Sequence, residues 1–207
     1  LLPNFALATV PRRTFVSPPP IPLEAPTCYE QPTKLILCLG RVINNGSVNL
    51  GDIQVAVQLG GAKQIVTIEQ HTISPQSFAP YRAQFANTAP VPLALAQVVQ
   101  ARYTQVIGTA LVLEDENGSY QKTANGYGYY DFSATVINPT ATTALHPRLI
   151  ITVLNQENTV VGYRVVEVAD EIRNYQQFVI HTQIIPQLVS DNLYHYAKLE
   201  HDAIVAP

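Results

Sequence analysis

Between Asp52 and Leu59 the chain alternates: Ile53, Val55, Val57 and Leu59 are aliphatic, while Asp52, Gln54, Ala56 and Gln58 are mostly polar. Successive side chains of an extended strand point to opposite faces, so this run predicts a half-buried antiparallel strand with four aliphatics turned inward. Similar β-rich runs cover Leu35 to Ile43, Gln64 to Gln70, Tyr81 to Ala86 and Gln97 to Ile107, and Asn-Gly, Gly-Gly and Ser-Pro turn signals separate them. No segment carries an amphipathic helical stripe of useful length. Pro92 to Gln100, rich in Leu and Ala, suits a helix as well as a strand.

The runs repeat. Gly40-Arg41-Val42-Ile43-Asn44 recurs as Ala134-Thr135-Val136-Ile137-Asn138, and each copy leads through a turn into an aliphatic strand ending at Leu59 or Leu154. Tyr81-Arg82-Ala83-Gln84-Phe85 and Tyr175-Gln176-Gln177-Phe178 follow at a similar interval, and each copy closes with a mixed strand, Gln97 to Ile107 and Tyr194 to Val205. A unit of this length with several short strands fits a small sandwich better than a solenoid turn. The expected fold is therefore all-β: two tandem immunoglobulin-like, Greek-key β-sandwich domains over residues 33–110 and 126–207. Residues 111–125 are expected as a connecting hairpin or linker, with Asn117-Gly118 supplying the positive-φ pair of its turn.

Ahead of the first domain, residues 1–32 hold half of the chain's 16 prolines. Proline fixes φ and donates no hydrogen bond, so this stretch is expected to run as an extended arm. Within it Asn4 to Val10 is free of proline, and Phe5, Leu7 and Thr9 alternate in the manner of a short strand; Phe15 and Val16 are the next apolar positions. The chain starts Leu1-Leu2-Pro3 and contains no Met; a cleaved leader, an omitted anchor or a trimmed start would each explain this, and we expect an extracytoplasmic location, secreted, at the cell surface or periplasmic. Charged residues make up only 13%, with a net charge of -3, which offers no basic field for nucleic acid or anionic lipid. No apolar run approaches the roughly 20 residues of a membrane-spanning helix. The two cysteines, Cys28 and Cys38, either close a short disulfide loop or stand as one exposed thiol and one small buried apolar residue.

The Gly-x-Val-x-Asn element, a Val-rich strand ending in Leu and a later strand ending in Phe resemble the FxLYD family of bacterial envelope domains, in both copies. The resemblance implies that Gly40, Val42 and Asn44, and again Val136 and Asn138, form the first core strand and its turn. It also implies an exported or surface-anchored domain without a catalytic centre. The family's Leu-Tyr-Asp stands here as Leu59-Gly60-Gly61 and Leu154-Asn155-Gln156, and Ala134 replaces the glycine.

Candidate chemistry is sparse. His71, His146, His181, His195 and His201 form no metal-binding spacing and are expected at the surface or at sheet edges; His195 and His201 stand about 20 Å apart along a strand. Glu114, Asp115 and Glu116 would offer oxygens to a hard cation such as calcium, but their spacing fails the EF-hand pattern and fits a solvated hairpin tip. There is no nucleophile elbow, P-loop or dinucleotide fingerprint, and Asp191 near His195 does not make a triad. Neither enzymatic activity nor a cofactor is expected. Asn45-Gly46-Ser47 and Asn117-Gly118-Ser119 have the form of glycosylation sequons and read equally as turns. Tyr127, Tyr129, Tyr130, Tyr194 and Tyr196 suit contact with protein or glycan, or plain cross-strand packing. The reading that emerges is a non-enzymatic extracellular or cell-envelope structural subunit that assembles through its arm into a filament, lattice or surface assembly. Its partners would be copies of itself or other envelope subunits, contacted when the arm adds a strand to an open sandwich edge. An accessory, membrane-anchored subunit of a larger complex and a glycan-binding module are the alternatives.

Overall fold

The computed structural model describes residues 21, 23–86, 93–104, 111–124, 128–188 and 190–205. Among them the structure is all-β. The first half contains β1 (Thr27–Glu30), β2 (Leu35–Asn44), β3 (Leu50–Leu59), β4 (Ala62–Thr67), β5 (Thr72–Ile73), β6 (Ser77–Ala86) and β7 (Leu95–Tyr103). The second contains β8 (Val112–Lys122), β9 (Gly128–Ile137), β10 (Thr143–Leu145), β11 (Arg148–Leu154), β12 (Val160–Glu167), β13 (Glu171–Ile172), β14 (Gln177–Ile184), β15 (Tyr194–Glu200) and β16 (Ala203–Val205).

Pairing follows the repeat. Sheet A has the order β1-β2-β6, and sheet C repeats it as β8-β9-β14; sheet B has β3 between β4 and β7, and sheet D repeats it as β12-β11-β15. The start of β3, which pairs with β5 and β7, corresponds to β10, which pairs with β13 and β16. In the first copy Asp52 (φ 49°) sits at a register shift within one strand. In the second, His146 (φ 47°) precedes Pro147, which has no N–H for a ladder, and the strand divides there into β10 and β11.

Each half has its own core. Ile36, Cys38 and Val42 of β2 meet Val55, Val57 and Leu59 of β3 and Tyr81 and Phe85 of β6. Tyr130, Phe132 and Val136 of β9 meet Leu149, Ile151 and Val153 of β11. Each such side chain, buried, contributes about 1.5–3 kcal/mol. A third apolar cluster joins the halves: Leu39 packs with Leu154, Val160 and Tyr163, flanked by Tyr29, Leu37, Phe78, Val165 and Tyr196. The outer face of sheet A therefore lies against the outer face of sheet D, and the layers stack B, A, D, C. The burial of Leu149–Leu154 follows from this, since β11 is covered by its own core on one side and by the first sandwich on the other.

Asn44 and Asn138, both buried, explain the repeated motif. Asn44 Nδ2 donates to the carbonyls of Val48 (2.8 Å) and Ile73 (2.9 Å), while its Oδ1 accepts from Gly46 N (3.0 Å). Asn138 donates to Thr142 (2.6 Å) and Ile172 (2.9 Å) and accepts from Thr140 N (3.1 Å). One amide thus satisfies the β2–β3 turn and ties it to the strand that precedes β6, and its counterpart does the same after β9. Gly40 has a different reason: a Cβ there would lie 2.4 Å from the Tyr81 ring, its cross-strand partner. At the equivalent site the partner of position 134 is Ile180, which leaves room for alanine.

Three expectations are corrected. Residues 27–30 are not arm but edge strand β1, paired with β2. Residues 112–122 are not a connector but β8, a strand of sheet C, and Asn117-Gly118 lies within it rather than at a hairpin tip. Gly118 is demanded by packing, because a Cβ would meet His195 Nδ1 and the Tyr130 hydroxyl at 2.6 Å. Tyr175 is not the counterpart of Tyr81: it is an exposed turn residue (φ 57°), and Ile180 occupies the matching register. Of the two readings open for Pro92 to Gln100, the strand holds from Leu95 onward, in β7.

Candidate functional site

Several polar interactions join the two halves along the A–D seam. Glu200 at the end of β15 accepts from the backbone N–H groups of His71 (2.9 Å) and Thr72 (3.0 Å) in the first sandwich and pairs with Arg148 (3.3 Å). A buried carboxylate so surrounded is compensated rather than reactive. Tyr163 donates its hydroxyl to Glu69 (2.9 Å), Glu69 pairs with Arg82 (2.9 Å), and the Arg82 guanidinium lies 5.2 Å from the Tyr163 ring centre. Burial first, and the neighbouring Glu69 charge second, push the Tyr163 hydroxyl far above the usual phenol range. Asp202 faces His71 Nδ1 (3.5 Å) and His146 Nδ1 (3.1 Å), one from each sandwich. Tyr196 stacks on Phe78 at 4.9 Å and its hydroxyl hydrogen-bonds that of Ser77 (3.1 Å).

Beside this seam runs a groove of about 320 Å³ lined by Leu37, Leu39, Arg82, Tyr163, Arg164 and Gln187 among others. Its polar groups are committed: Arg82 to Glu69, Arg164 to the Gln183 carbonyl (2.9 Å), and Gln187 to Gln31. The groove brings no nucleophile to a base. Among the described residues no group of three His, Cys, Asp or Glu is arranged to hold a metal ion.

Of the residues singled out from sequence, Phe5, Leu7, Thr9, Phe15, Val16 and Tyr127 lie outside the described residues. Cys28 and Cys38 are cross-strand partners in β1 and β2 and are joined by a disulfide. Glu114, Asp115 and Glu116 lie at a bulge in β8, where pairing with β9 shifts between Glu114 and Asn117. The bulge turns Glu116 toward His195 Nε2 at 3.8 Å.

His195 is half-buried on β15, an edge strand of sheet D, as one of the two expected placements has it. It packs edge-on against Phe132 and hydrogen-bonds the Tyr130 hydroxyl at 2.8 Å; burial lowers its pKa, with Glu116 opposing. His201 is buried, whereas His71, His146 and His181 are exposed as expected. Asp191 pairs with Lys122 (3.2 Å) and not with His195. Tyr130 is core, Tyr196 belongs to the seam, and Tyr129 and Tyr194 sit on different sheets.

The two end faces of the stack differ. In antiparallel register, Gln54, Ala56 and Gln58 of β3 share the outer face of sheet B with Lys63, Ile65 and Thr67 of β4 and with Leu95 and Gln97 of β7. Ile65 and Leu95 are each 57% exposed, Val99 44%, and Leu93 beside them 79%. The outer face of sheet C carries Asp131, Ser133 and Thr135 opposite Gln183, His181 and Val179, with an Asp131–His181 pair at 3.0 Å. Sequence reasoning missed the sheet B face, although Leu93, Leu95 and Val99 are visible there as apolar residues in a run without charge.

No family model and no curated protein matches the chain. Among solved structures it is similar to a β-glucuronidase from Ruminococcus gnavus in complex with D-glucaro-d-lactam, at 9% identity and a TM-score of 0.25, over 86% of this chain and 35% of that one. It is also similar to the N-terminal CBM22-1-CBM22-2 tandem domain of Paenibacillus barcinonensis Xyn10C, at 10% identity and a TM-score of 0.19, over 86% of this chain and 72% of that one. The chain thus spans about a third of the glucuronidase. Likenesses at these values bear on neither ligand nor activity.

Proposed function

We propose that the chain is a non-enzymatic contact subunit of an extracytoplasmic assembly. The observation that carries this reading is the contrast between a sealed seam and the exposed side chains of Ile65, Leu95 and Val99 on the outer face of sheet B. Exposed aliphatics gathered on one face of a sheet favour contact with another protein. The Cys28–Cys38 disulfide supports an oxidising compartment. The roles of Gly40, Asn44 and Asn138 as packing and turn residues are in keeping with an FxLYD-like structural domain, for which the motif is architecture and not chemistry.

In this reading residues 1–32 include an arm that reaches a neighbouring subunit through Phe5, Leu7 and Thr9. Deleting residues 1–16 and measuring the mass of the native chain by light scattering tests it. Loss of higher assembly with both sandwiches still folded is expected; unchanged assembly contradicts the arm's role. A native chain that is strictly monomeric with its arm intact would favour an accessory subunit that needs other proteins.

A further inference from the structure

We infer that residues 5–13 are the closing strand of a further sandwich of this same repeat, and that this sandwich rests on the outer face of sheet B as the first sandwich rests on sheet D. This rests on the contact-subunit reading and names the arm's partner. Residues 5–24 match residues 95–114, which hold β7 and the start of β8, without a gap. Ala6, Arg12, Thr14, Val16, Leu23 and Glu24 are identical to Ala96, Arg102, Thr104, Val106, Leu113 and Glu114, and Phe5 stands at Leu95. The later part of the match fixes its register. Leu23 packs against the first core as Leu113 packs against the second. Glu24 pairs with Arg41 (3.8 Å), whose counterpart Thr135 lies opposite Glu114, and Thr27 lies opposite Leu39 as Asn117 lies opposite Ser133. A third copy agrees: Tyr196-Ala197 of β15 lies opposite Thr152 and Ile151, as Leu95-Ala96 of β7 lies opposite Gln58 and Val57, and Phe5-Ala6 has the same form.

Register then sets the faces. Ala96 and Val98 pack against the first core, so Ala6 and Ala8 point into the acceptor's core, and Phe5, Leu7 and Thr9 point away from it. Pro11 falls at Ala101, inside the register shift of β7 against β3, and a bulge tolerates proline. In both described sandwiches β7 or β15 already fills this place, so a second copy of this chain offers no vacancy. β7 closes the first sandwich and the chain passes on to β8 of the second; residues 5–13 and β1 stand in the same relation, with the acceptor before them in the order of the repeat. Sheet B shows where the acceptor rests. On sheet D, Val165 and Tyr196 meet sheet A of the preceding sandwich; the same points on sheet B are Ile65 and Leu95, each 57% exposed. Lys63 takes the place of Tyr163, whose hydroxyl reaches Glu69 across the seam. The partner face is therefore a sheet of the A type, apolar at its centre with a carboxylate beside it. Sheet C, at the other end, turns its Asp131–His181 pair outward and caps the stack.

Repeating residues 23–94 ahead of Phe5 in the full chain tests this, because residues 5–13 then follow a copy of Ala94 as β7 follows Ala94 itself. Amide exchange at residues 5–13 is expected to slow by about a hundredfold relative to the native chain, and hydroxyl-radical footprinting is expected to find Ile65 and Leu95 shielded. Ala6→Asp/Ala8→Asp in the extended chain is expected to reverse both. Unchanged exchange at residues 5–13, or Ile65 and Leu95 labelled as in the native chain, overturns the inference. A second pair of variants needs no added sandwich: residues 95–103 are replaced by residues 5–13, or by residues 6–14, which shifts the alternation by one. The first is expected to melt cooperatively with both sandwiches folded and the second to lose the first sandwich; equal melts, or loss of the first sandwich in both, contradict the assignment. If the native chain assembles through its arm while these tests fail, the inference falls and the contact-subunit reading stands. If they succeed and the native chain stays monomeric, the arm's partner is a further sandwich and not a second copy.

Discussion

Sheets B and D occupy the same place in two copies of one repeat, yet sheet D is buried on both faces and sheet B on one. The difference is written in the outward positions: Gln54, Ala56 and Gln58 in β3 correspond to Arg148, Ile150 and Thr152 in β11. Inward positions are aliphatic in both. A strand that alternates announces a solvated face, and one that loses alternation announces a second covering layer, here the other sandwich rather than a helix.

Breaking the comparison at its widest point gives the largest expected effect. Thr152→Lys places an ammonium in the seam, where Thr152 is fully buried, and is expected to cost about 3–5 kcal/mol in chemical denaturation. Gln58→Lys, at the same repeat position on sheet B, is expected to stay within about 0.5 kcal/mol. Equal losses at these two sites would show that the sheets are not in different environments.

Asn44→Ala and Asn138→Ala come next. Each removes the donor to two carbonyls, and a cost of about 2–4 kcal/mol is expected in both copies, measured by the same denaturation. Gly40→Ala should cost about 1–3 kcal/mol through the Tyr81 ring, whereas Ala134→Gly, facing Ile180, should cost about 1 kcal/mol or less.

The smallest effect is a pH slope. The folded pKa of His195 lies below the ordinary 6.5, so the unfolded chain takes up the proton first as pH falls. The contribution of neutral His195 is complete above pH 6.5 and is lost as pH falls through the folded value. Thermal midpoints between pH 7 and pH 5 should fall more in the native chain than in His195→Gln; parallel slopes would contradict the assignment.

Much of the fold was legible because alternation and repetition are properties of side-chain order alone. Ile53 to Leu59 gave β3 with its inward set, and the Val-x-Asn motif marked the end of β2 and of β9. What stayed hidden depends on partners distant in sequence. Gly118 looks like a turn residue beside Asn117, and only the approach of Tyr130 and His195 shows that it is a strand glycine under two rings. Tyr175 and Tyr81 match in letters, but register assigns Tyr81 to a core and Tyr175 to a turn. The candidate face on sheet B was hidden for a related reason: exposed and buried apolar residues look alike until the pairing of β3 with β4 and β7 says which way they point.

The central claim is that sheets A and D share a buried layer that makes the two sandwiches one cooperative body. Native-state hydrogen exchange read by mass spectrometry across a denaturant series tests it most directly, because both sandwiches are followed in the same molecule. Slow amides of β2 and β11 are expected to open together, with one free energy and one denaturant dependence. Two separate openings, one for each sandwich at its own midpoint, would contradict it.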